Sequence, residues 1–391
     1  MHLLETYALA SGSKIDKPYI YTKYVPLPVD DFITMQVKGK NQARDFDYWQ
    51  EVVDFISPSL EKLGLKIIQL GSKSEAPLVG VFPLLGQTDL SQYAYVISKA
   101  KLHLGIDSSG VHIASHFDRP IVALFGNSSP EVSGPYFGDK NKQICIHPFS
   151  EDRLPSYAPA EQPKTINLIK PEEVAKAVLK LLGTKHEEDL KTRSRGPRYN
   201  HPNVQMVPDS VTTFKGTEVD NMIIRMDLEF NEDVLVNQLA KGRCSVISRK
   251  PITADILKKF KMNISEFVYL LDKEHNPPFV EELKANGINF MLLAEMTEEE
   301  VEAVKLYYMN YGLVQQRKYP NPKDVERLKK IGTKNLYYRS KKFLVSKGKI
   351  FPSIAAWEED MPIEEARTQT LPVIDKESFW QELEDYYILE K

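Results

Sequence analysis

The chain has 391 residues, 42% hydrophobic and 27% charged, with 51 Lys+Arg against 54 Asp+Glu and a net charge of −3. This predicts two or three ordinary globular domains and argues against a dedicated DNA-coating protein. Two cysteines, Cys145 and Cys244, exclude a disulfide scaffold or a Cys-rich zinc site and fit a reducing, cytoplasmic setting; no run reaches the roughly 18 apolar residues of a membrane span, and MHLLETYALASG does not read as a signal peptide.

In chain order, the first half alternates strand and helix signals. ITMQV (33–37) predicts a strand, and FDYWQEVVDFISPSLEKLG (46–64) a helix, with Trp49, Val52, Val53, Ile56 and Leu60 at helical spacing. LKIIQLG (65–71) predicts a strand, LSQYAYVISKA (90–100) an amphipathic helix, LHLGID (102–107) a strand, GVHIASHF (110–117) a short helix and PIVALFG (120–126) a strand. KPEEVAKAVLKLLG (170–183) closes the segment as a helix, with Pro171 and acids in its first turn and Gly183 past its end. Apolar strands alternating with helices imply a mostly parallel sheet covered on both faces, with ligands at the carboxyl ends of the strands.

Residues 184–222 are polar, Pro-containing and locally basic (Lys191, Arg193, Arg195, Arg198), and read as a linker. A second, smaller three-layer α/β domain is expected over 223–330. Its strands are CSVIS (244–248), EFVYLLD (266–272) and INFMLLA (288–294); its helices are ITADILKKF (252–260), PPFVEELKANG (277–287) and the Thr-capped TEEEVEAVKLYYMNYG (297–312), stopped by Gly312. The tail, 331–391, reads as a hairpin around Lys347-Gly348 followed by an acidic C-terminal helix, KESFWQELEDYYILE. Its tyrosines and tryptophans are read as packing or interface residues.

The sharpest chemical signal is Leu104-Gly105-Ile106-Asp107-Ser108-Ser109-Gly110-Val111-His112. A buried strand ends on an acid, two hydroxyls and a glycine, and a helix begins at once. Free backbone N–H groups at a helix start, beside hydroxyls, form an anion site. Asp107 would cap the turn, and His112 would face the same anion. His103, on the strand, reads as a packed core residue. The sequence has no H-E-x-x-H, Asp-x-Asp or Walker pattern, so no metal or cofactor is expected.

Residues 84–136 resemble family 9 glycosyltransferases, the ADP-heptose:lipopolysaccharide heptosyltransferase family. The resemblance is carried by Gly86-Gln87-Thr88-Asp89-Leu90, by Asp107 to Ala114 and by Pro120 to Gly126, and it extends over about 1–183. It implies a GT-B architecture, with 1–183 as the half that binds a nucleotide-sugar donor. Asp107, Ser108, Ser109, Gly110 and His112 match the signature that holds the donor diphosphate and sugar; Ser109 stands where the family often has Gly. The resemblance places a basic phosphate contact at Lys40 or Arg44 and a nucleoside contact at Glu75, while Thr88 would cap the following helix and border the donor. The family's acceptor half normally precedes this one. Here only MHLLETYALASGSKIDKP does, so residues 223–330 are a candidate permuted acceptor domain, and Arg249 to Asp255 matches the spacing that leads to the family's base.

The resulting expectation is an α/β protein, a Rossmann-like GT-B-type domain plus a second α/β domain and a hairpin/helix tail. It would be an inverting glycosyltransferase moving a sugar from an ADP-sugar-like donor to a glycan, lipid-linked or other acceptor hydroxyl, with Asp255 as base and possible dependence on a second chain or a homo-oligomer. Two alternatives are a non-catalytic nucleotide-sugar binding or assembly protein, and a phage-type transferase acting on modified DNA bases through Arg193, Arg195, Arg198 and the cations of 339–349.

Overall fold

Apolar alternation and helical periodicity take turns along the first half, and each stretch becomes an element of a single open sheet. The structure, a computed structural model, describes residues 1–184, 190–211, 222–311, 314–365 and 369–391. Gly312 and part of the 184–222 span lie outside them. The chain divides into two units, Met1–Leu190 and Lys191–Lys391.

The first unit contains α1 (Leu3–Ser11), β1 (Phe32–Gln36), α2 (Trp49–Lys62), β2 (Lys66–Gly71), β3 (Phe82–Leu85), α3 (Leu90–Lys99), β4 (His103–Ile106), α4 (Ser109–His116), β5 (Ile121–Leu124), α5 (Pro130–Ser133), β6 (Gln143–Ile146) and α6 (Pro171–Leu181). The strands are parallel and lie in the order β3-β2-β1-β4-β5-β6. From β1 the chain moves outward through β2 to β3, then returns past β1 to β4 and continues the other way. Right-handed crossovers in opposite directions put helices on opposite faces. Phe32, Ile68, Leu70, Ile121 and Ala123 pack with Ala94 and Ile97 of α3 and Val111 and Ala114 of α4. Ile33, Met35, Ile67 and Leu104 alternate with them along the strands and are also buried, on the opposite face. The four strands predicted from apolar runs are present. The two edge strands, β3 and β6, escaped prediction because their residues are only half-buried or exposed and β3 contains Pro83.

The second unit begins inside the predicted linker. It contains β7 (Lys191–Arg195), β8 (Asn203–Met206), β9 (Met222–Arg225), α7 (Glu232–Leu239), β10 (Cys244–Ser248), α8 (Ala254–Phe260), β11 (Ile264–Leu271), α9 (Pro277–Ala285), β12 (Phe290–Ala294), α10 (Glu298–Tyr308), β13 (Val314–Gln316), α11 (Pro322–Ile331), β14 (Leu336–Ser340), β15 (Lys342–Ser346), β16 (Lys349–Phe351), α12 (Ile354–Glu358), β17 (Leu371–Pro372), α13 (Glu377–Gln381) and β18 (Tyr386–Glu390). Three expectations are corrected. The 184–222 span is not only a linker, because β7 pairs with β18 and β8 joins the large sheet; Arg193 is ion-paired with Glu390, and Arg198 with Glu384 and Asp385. The unit, at 191–391, is no smaller than the first. It is also not three-layered around its parallel strands. The order in the large sheet, β13-β12-β11-β10-β9-β8-β15-β16, rises without reversal through the parallel run from β8 to β13, so the crossover helices α7–α10 share one face and one core with Ile224, Val246, Phe267, Tyr269 and Leu292.

The tail is split between sheets. β15 and β16 form the predicted hairpin, with Lys347 and Gly348 at φ of 49° and 74°. The predicted C-terminal helix stops at Gln381, and Tyr386–Glu390 is instead a strand between β14 and β7. Tyr386, Tyr387, Ile388 and Leu389 are all buried, which suits a central strand and not an amphipathic helix. Tyr338, Phe379, Trp380 and Tyr386 pack there with Leu328 and Ile388.

One buried charge holds this tail. Glu382 is 3% exposed, accepts from Tyr386 Oη at 2.7 Å and from the Ile354 N–H at 3.1 Å, and is paired with Lys342. Burial pushes its carboxyl pKa up, but Lys342 and these hydrogen bonds outweigh burial and hold it below the usual range. Glu382→Ala strips Lys342 of its closest partner and should destabilise the protein by about 3 kcal/mol, measured by urea denaturation.

Candidate functional site

In an open parallel sheet, a crevice forms at the carboxyl ends of the two neighbouring strands whose connections leave in opposite directions. In the first unit those strands are β1 and β4. Gln36 ends β1, and Lys38, Gly39 and Lys40 follow it; Asp107, Ser108 and Ser109 follow β4. With Arg44, Glu75, Thr88 and Tyr93 they line a cleft of about 580 Å³.

Asp107 is the centre of this arrangement. It is 4% exposed, and its Oδ2 accepts from Ser128 Oγ at 2.5 Å and Ser133 Oγ at 3.1 Å. Arg44 approaches the same oxygen at 3.2 Å through Nη2, while its Nη1 donates to the Asp107 carbonyl at 2.7 Å. The carboxylate therefore ties the loop after β1 and the loop after β5 to the start of α4. It does not cap α4, contrary to expectation. The N-cap position belongs to Ser108, and no side chain caps the helix. The first-turn N–H groups of α4 are thus left without a side-chain partner beside Arg44 and Lys40, which is the electrostatic setting of an anion seat.

Behind α4 lies a polar shelf. Gln36 Oε1 accepts from Tyr93 Oη at 2.5 Å and from Ser108 Oγ at 2.7 Å. Burial, and then the Glu75 carboxylate, hold the Tyr93 hydroxyl well above its usual pKa, so it remains a donor. His103 is fully buried, as expected of a core residue; its Nδ1 lies 3.0 Å from Thr34 Oγ1, and its Nε2 has no hydrogen-bond partner. A Cβ on Gly110 would lie 2.5 Å from Tyr93 Oη, 2.6 Å from His103 Nε2 and 2.7 Å from Gln36 Oε1. Close packing of α4 on this shelf, and not a special backbone angle, demands the glycine.

Seven predicted residues converge on the cleft: Lys40, Arg44, Glu75, Thr88, Asp107, Ser108 and Ser109. Lys40 is exposed at the rim. Glu75 Oε1 accepts from the Ser72 N–H at 2.6 Å, and Oε2 has no partner. Thr88 lines the cleft but does not cap α3; Asp89 does so, in a reciprocal capping box with Gln92. His112 is displaced from the expected position. It lines a second, mainly apolar cavity of about 740 Å³ with Ile20, Ile113, Tyr136 and Phe137, and only Ser109 and Leu90 border both cavities. Desolvation lowers the His112 pKa, against the opposing charge of Asp107. Asp255 lies in the second unit, exposed in the first turn of α8. Sequence reasoning missed Gln36, Tyr93, Ser128 and Ser133. The available signals were a polar residue ending an apolar strand and the hydroxyls just after Gly126. Among the described residues no three His, Cys, Asp or Glu side chains are grouped to hold a metal ion, and no helix is long and apolar enough to cross a membrane.

Residues 56–155, which carry β2, the turn at Asp107 and Ser108, α4 and the segment beyond, match glycosyltransferase family 9 (heptosyltransferase). A stretch of 52 residues is 42% identical to lipopolysaccharide heptosyltransferase 2 of Salmonella typhimurium, covering 13% of this chain and 15% of that protein. Among solved structures, E. coli ADP-heptose lps heptosyltransferase II is similar at 20% identity and a TM-score of 0.31, over 46% of this chain and 50% of that one. E. coli heptosyltransferase WaaC with ADP is similar at 17% identity and a TM-score of 0.31, over 45% and 54%. The chain thus spans about half the length of these solved relatives and a much smaller part of the curated one. The stretch that resembles family 9 supplies one wall of the cleft, and the segment from Gln36 to Arg44, before it, supplies the rest.

Two outcomes follow from the shelf. Gly110→Ala should cost about 1–3 kcal/mol through overpacking, read by denaturant titration. Burial disfavours the charged form of His103 and pushes its pKa down to about 3, against about 6.5 for a solvated imidazole. Between those values the unfolded chain binds the extra proton, so this contribution is complete above pH 6.5 and is lost as the pH falls toward 3. Moving from pH 7.5 to pH 5 should cost about 2 kcal/mol at this site. In His103→Gln that part of the acid loss should vanish from the same titration.

Proposed function

We propose that the chain is a glycosyltransferase that uses a nucleoside diphosphate sugar, with the donor bound in the first unit's cleft. One observation carries the reading: seven residues of the expected donor site, five of them within the stretch that matches family 9, line one cleft at the β1/β4 switch point. The cleft has two chemically different walls. Lys40, Arg44 and the uncapped start of α4 suit a diphosphate, whereas the Glu75 carboxylate, just past the end of β2, stands where the family's nucleoside contact is expected. The similarity to heptosyltransferases makes an ADP-sugar the first donor to try.

In the inverting reaction a base takes the proton of an acceptor hydroxyl. The hydroxyl oxygen attacks the anomeric carbon, and the bond from that carbon to the diphosphate oxygen breaks, leaving its electron pair on the nucleoside diphosphate. Arg44, Lys40 and the α4 amides offset that charge as it develops. The base is assigned to Asp255, whose spacing from Arg249 matches the one that leads to the family's base. The acceptor is a glycan or another hydroxyl-bearing polymer. The rival reading, a binding protein without catalysis, is favoured by the position of Asp255 on a short helix start where an acid also serves the helix dipole.

Calorimetry against ADP, GDP, UDP, CDP and their sugar conjugates tests the donor site. One base should bind, and Arg44→Ala should weaken it at least tenfold, the scale of a lost charge-assisted hydrogen bond. Binding by none would overturn the proposal. With donor and acceptor supplied, Asp255→Asn should lower turnover by about 10²–10⁴-fold with donor affinity unchanged; unchanged turnover removes Asp255 as base.

A further inference from the structure

Ser is among the best N-cap residues because its hydroxyl accepts from the N–H two or three positions ahead. Ser108 has the extended backbone of an N-cap, with φ −154° and ψ 176°, yet its hydroxyl makes no cap bond. It is turned the other way and donates to Gln36 Oε1 at 2.7 Å. Gln36 is held in turn. Its Nε2 donates to the Lys38 carbonyl at 3.2 Å, which fixes which end of the amide faces Ser108, and Tyr93 Oη donates to the second lone pair of Oε1. Gly110 gives the shelf room to approach this closely. The result is a helix start whose natural cap is held aside within a cleft that also presents Lys40 and Arg44.

We infer that Gln36, braced by Tyr93, is a positioning residue that keeps the anion seat open by holding the Ser108 hydroxyl off the N-terminus of α4. This rests on the nucleotide-sugar reading of the cleft and deepens it: the donor's diphosphate meets backbone N–H groups that Ser108 would otherwise occupy. Ser108 itself is not a required phosphate ligand. With its hydrogen committed to Gln36, it has none to give a phosphate oxygen. Without Gln36, Ser108 is free to swing onto the helix and compete with the anion.

The test is epistasis, read by calorimetry on the full chain with inorganic pyrophosphate and the nucleoside diphosphate that binds best. Ser108→Ala should hold pyrophosphate within about twofold of the wild type. Gln36→Leu should bind it about five- to tenfold more weakly, the size of one N-cap bond. The double variant Gln36→Leu/Ser108→Ala should recover to within about twofold, because no hydroxyl remains to cap the helix. A structural defect at Gln36 would not be rescued by deleting a second group. Gln36→Asn, whose shorter amide cannot reach Ser108, carries the same expectations if the leucine variant does not fold. The inference is overturned if Ser108→Ala weakens pyrophosphate as much as Gln36→Leu does, or if the double variant is no better than Gln36→Leu alone. In either case wild-type nucleotide binding leaves the function proposal standing. A wild-type chain that binds neither pyrophosphate nor any nucleoside diphosphate overturns both.

Discussion

Burying one carboxylate is the constraint from which the cleft follows. Asp107 sits at the end of a central strand, where solvent cannot compensate its charge, so the surrounding chain must. Arg44 does so from the loop after β1, and Ser128 and Ser133 do so from the segment after β5. Three chain segments far apart in sequence are thereby fixed around the first turn of α4. The guanidinium is bound twice, through the Asp107 side chain and its carbonyl, and so is held at the lip of the cleft. Asp107 organises the site, and the groups left available to a ligand are the cations, hydroxyls and amides that it positions.

The polar shelf behind α4 meets a second version of the same demand. Thr34, Gln36, His103 and Tyr93 occupy or border the centre of the sheet, where apolar side chains would be the default. His103 stays neutral because burial suppresses its charged form. Gln36 accepts two hydrogen bonds with one oxygen. Hydrogen bonds in such surroundings orient their members strongly, because a buried group without a partner is costly. The cleft thus has a rigid floor and a rim of exposed cations, a division that suits tight positioning of an anion at the floor and access from solvent at the rim.

The two units differ in a way that bears on their chemistry. The first reverses direction at β1 and is covered on both faces, so its crevice opens only at the strand ends. The second runs in one direction from β8 to β13 and gathers α7–α10 on one face. Its other face carries Arg225, Ile247, Val268 and Leu293, with Arg225 bound to Asp227 and Gln205. The same strand–helix alternation therefore yields two different surfaces, and the order of the strands decides between them.

By itself the sequence determined the local structure of the first unit and the identity of its loop. Buried central strands show as continuous apolar runs, helices as a 3.6-residue stripe, and Asp107-Ser108-Ser109-Gly110 between a strand and a helix already implies free amides. In the second unit β10, β11 and β12 were legible, as CSVIS, EFVYLLD and INFMLLA, but β7, β8, β9 and β13 were not, and neither was the architecture. Nothing local distinguishes a strand order that reverses from one that does not. Edge strands such as Gln143–Ile146 carry too little burial to write an apolar signature, and Tyr386–Glu390 became a strand only because two partners flank it. The tertiary structure alone decided the roles within the site. It showed that Asp107 anchors and does not cap, that Ser108 is held by a glutamine 72 residues earlier, and that His112 borders a neighbouring cavity. Those roles depend on hydrogen bonds between segments remote in sequence, and spacing along one segment cannot encode which remote partner a side chain meets.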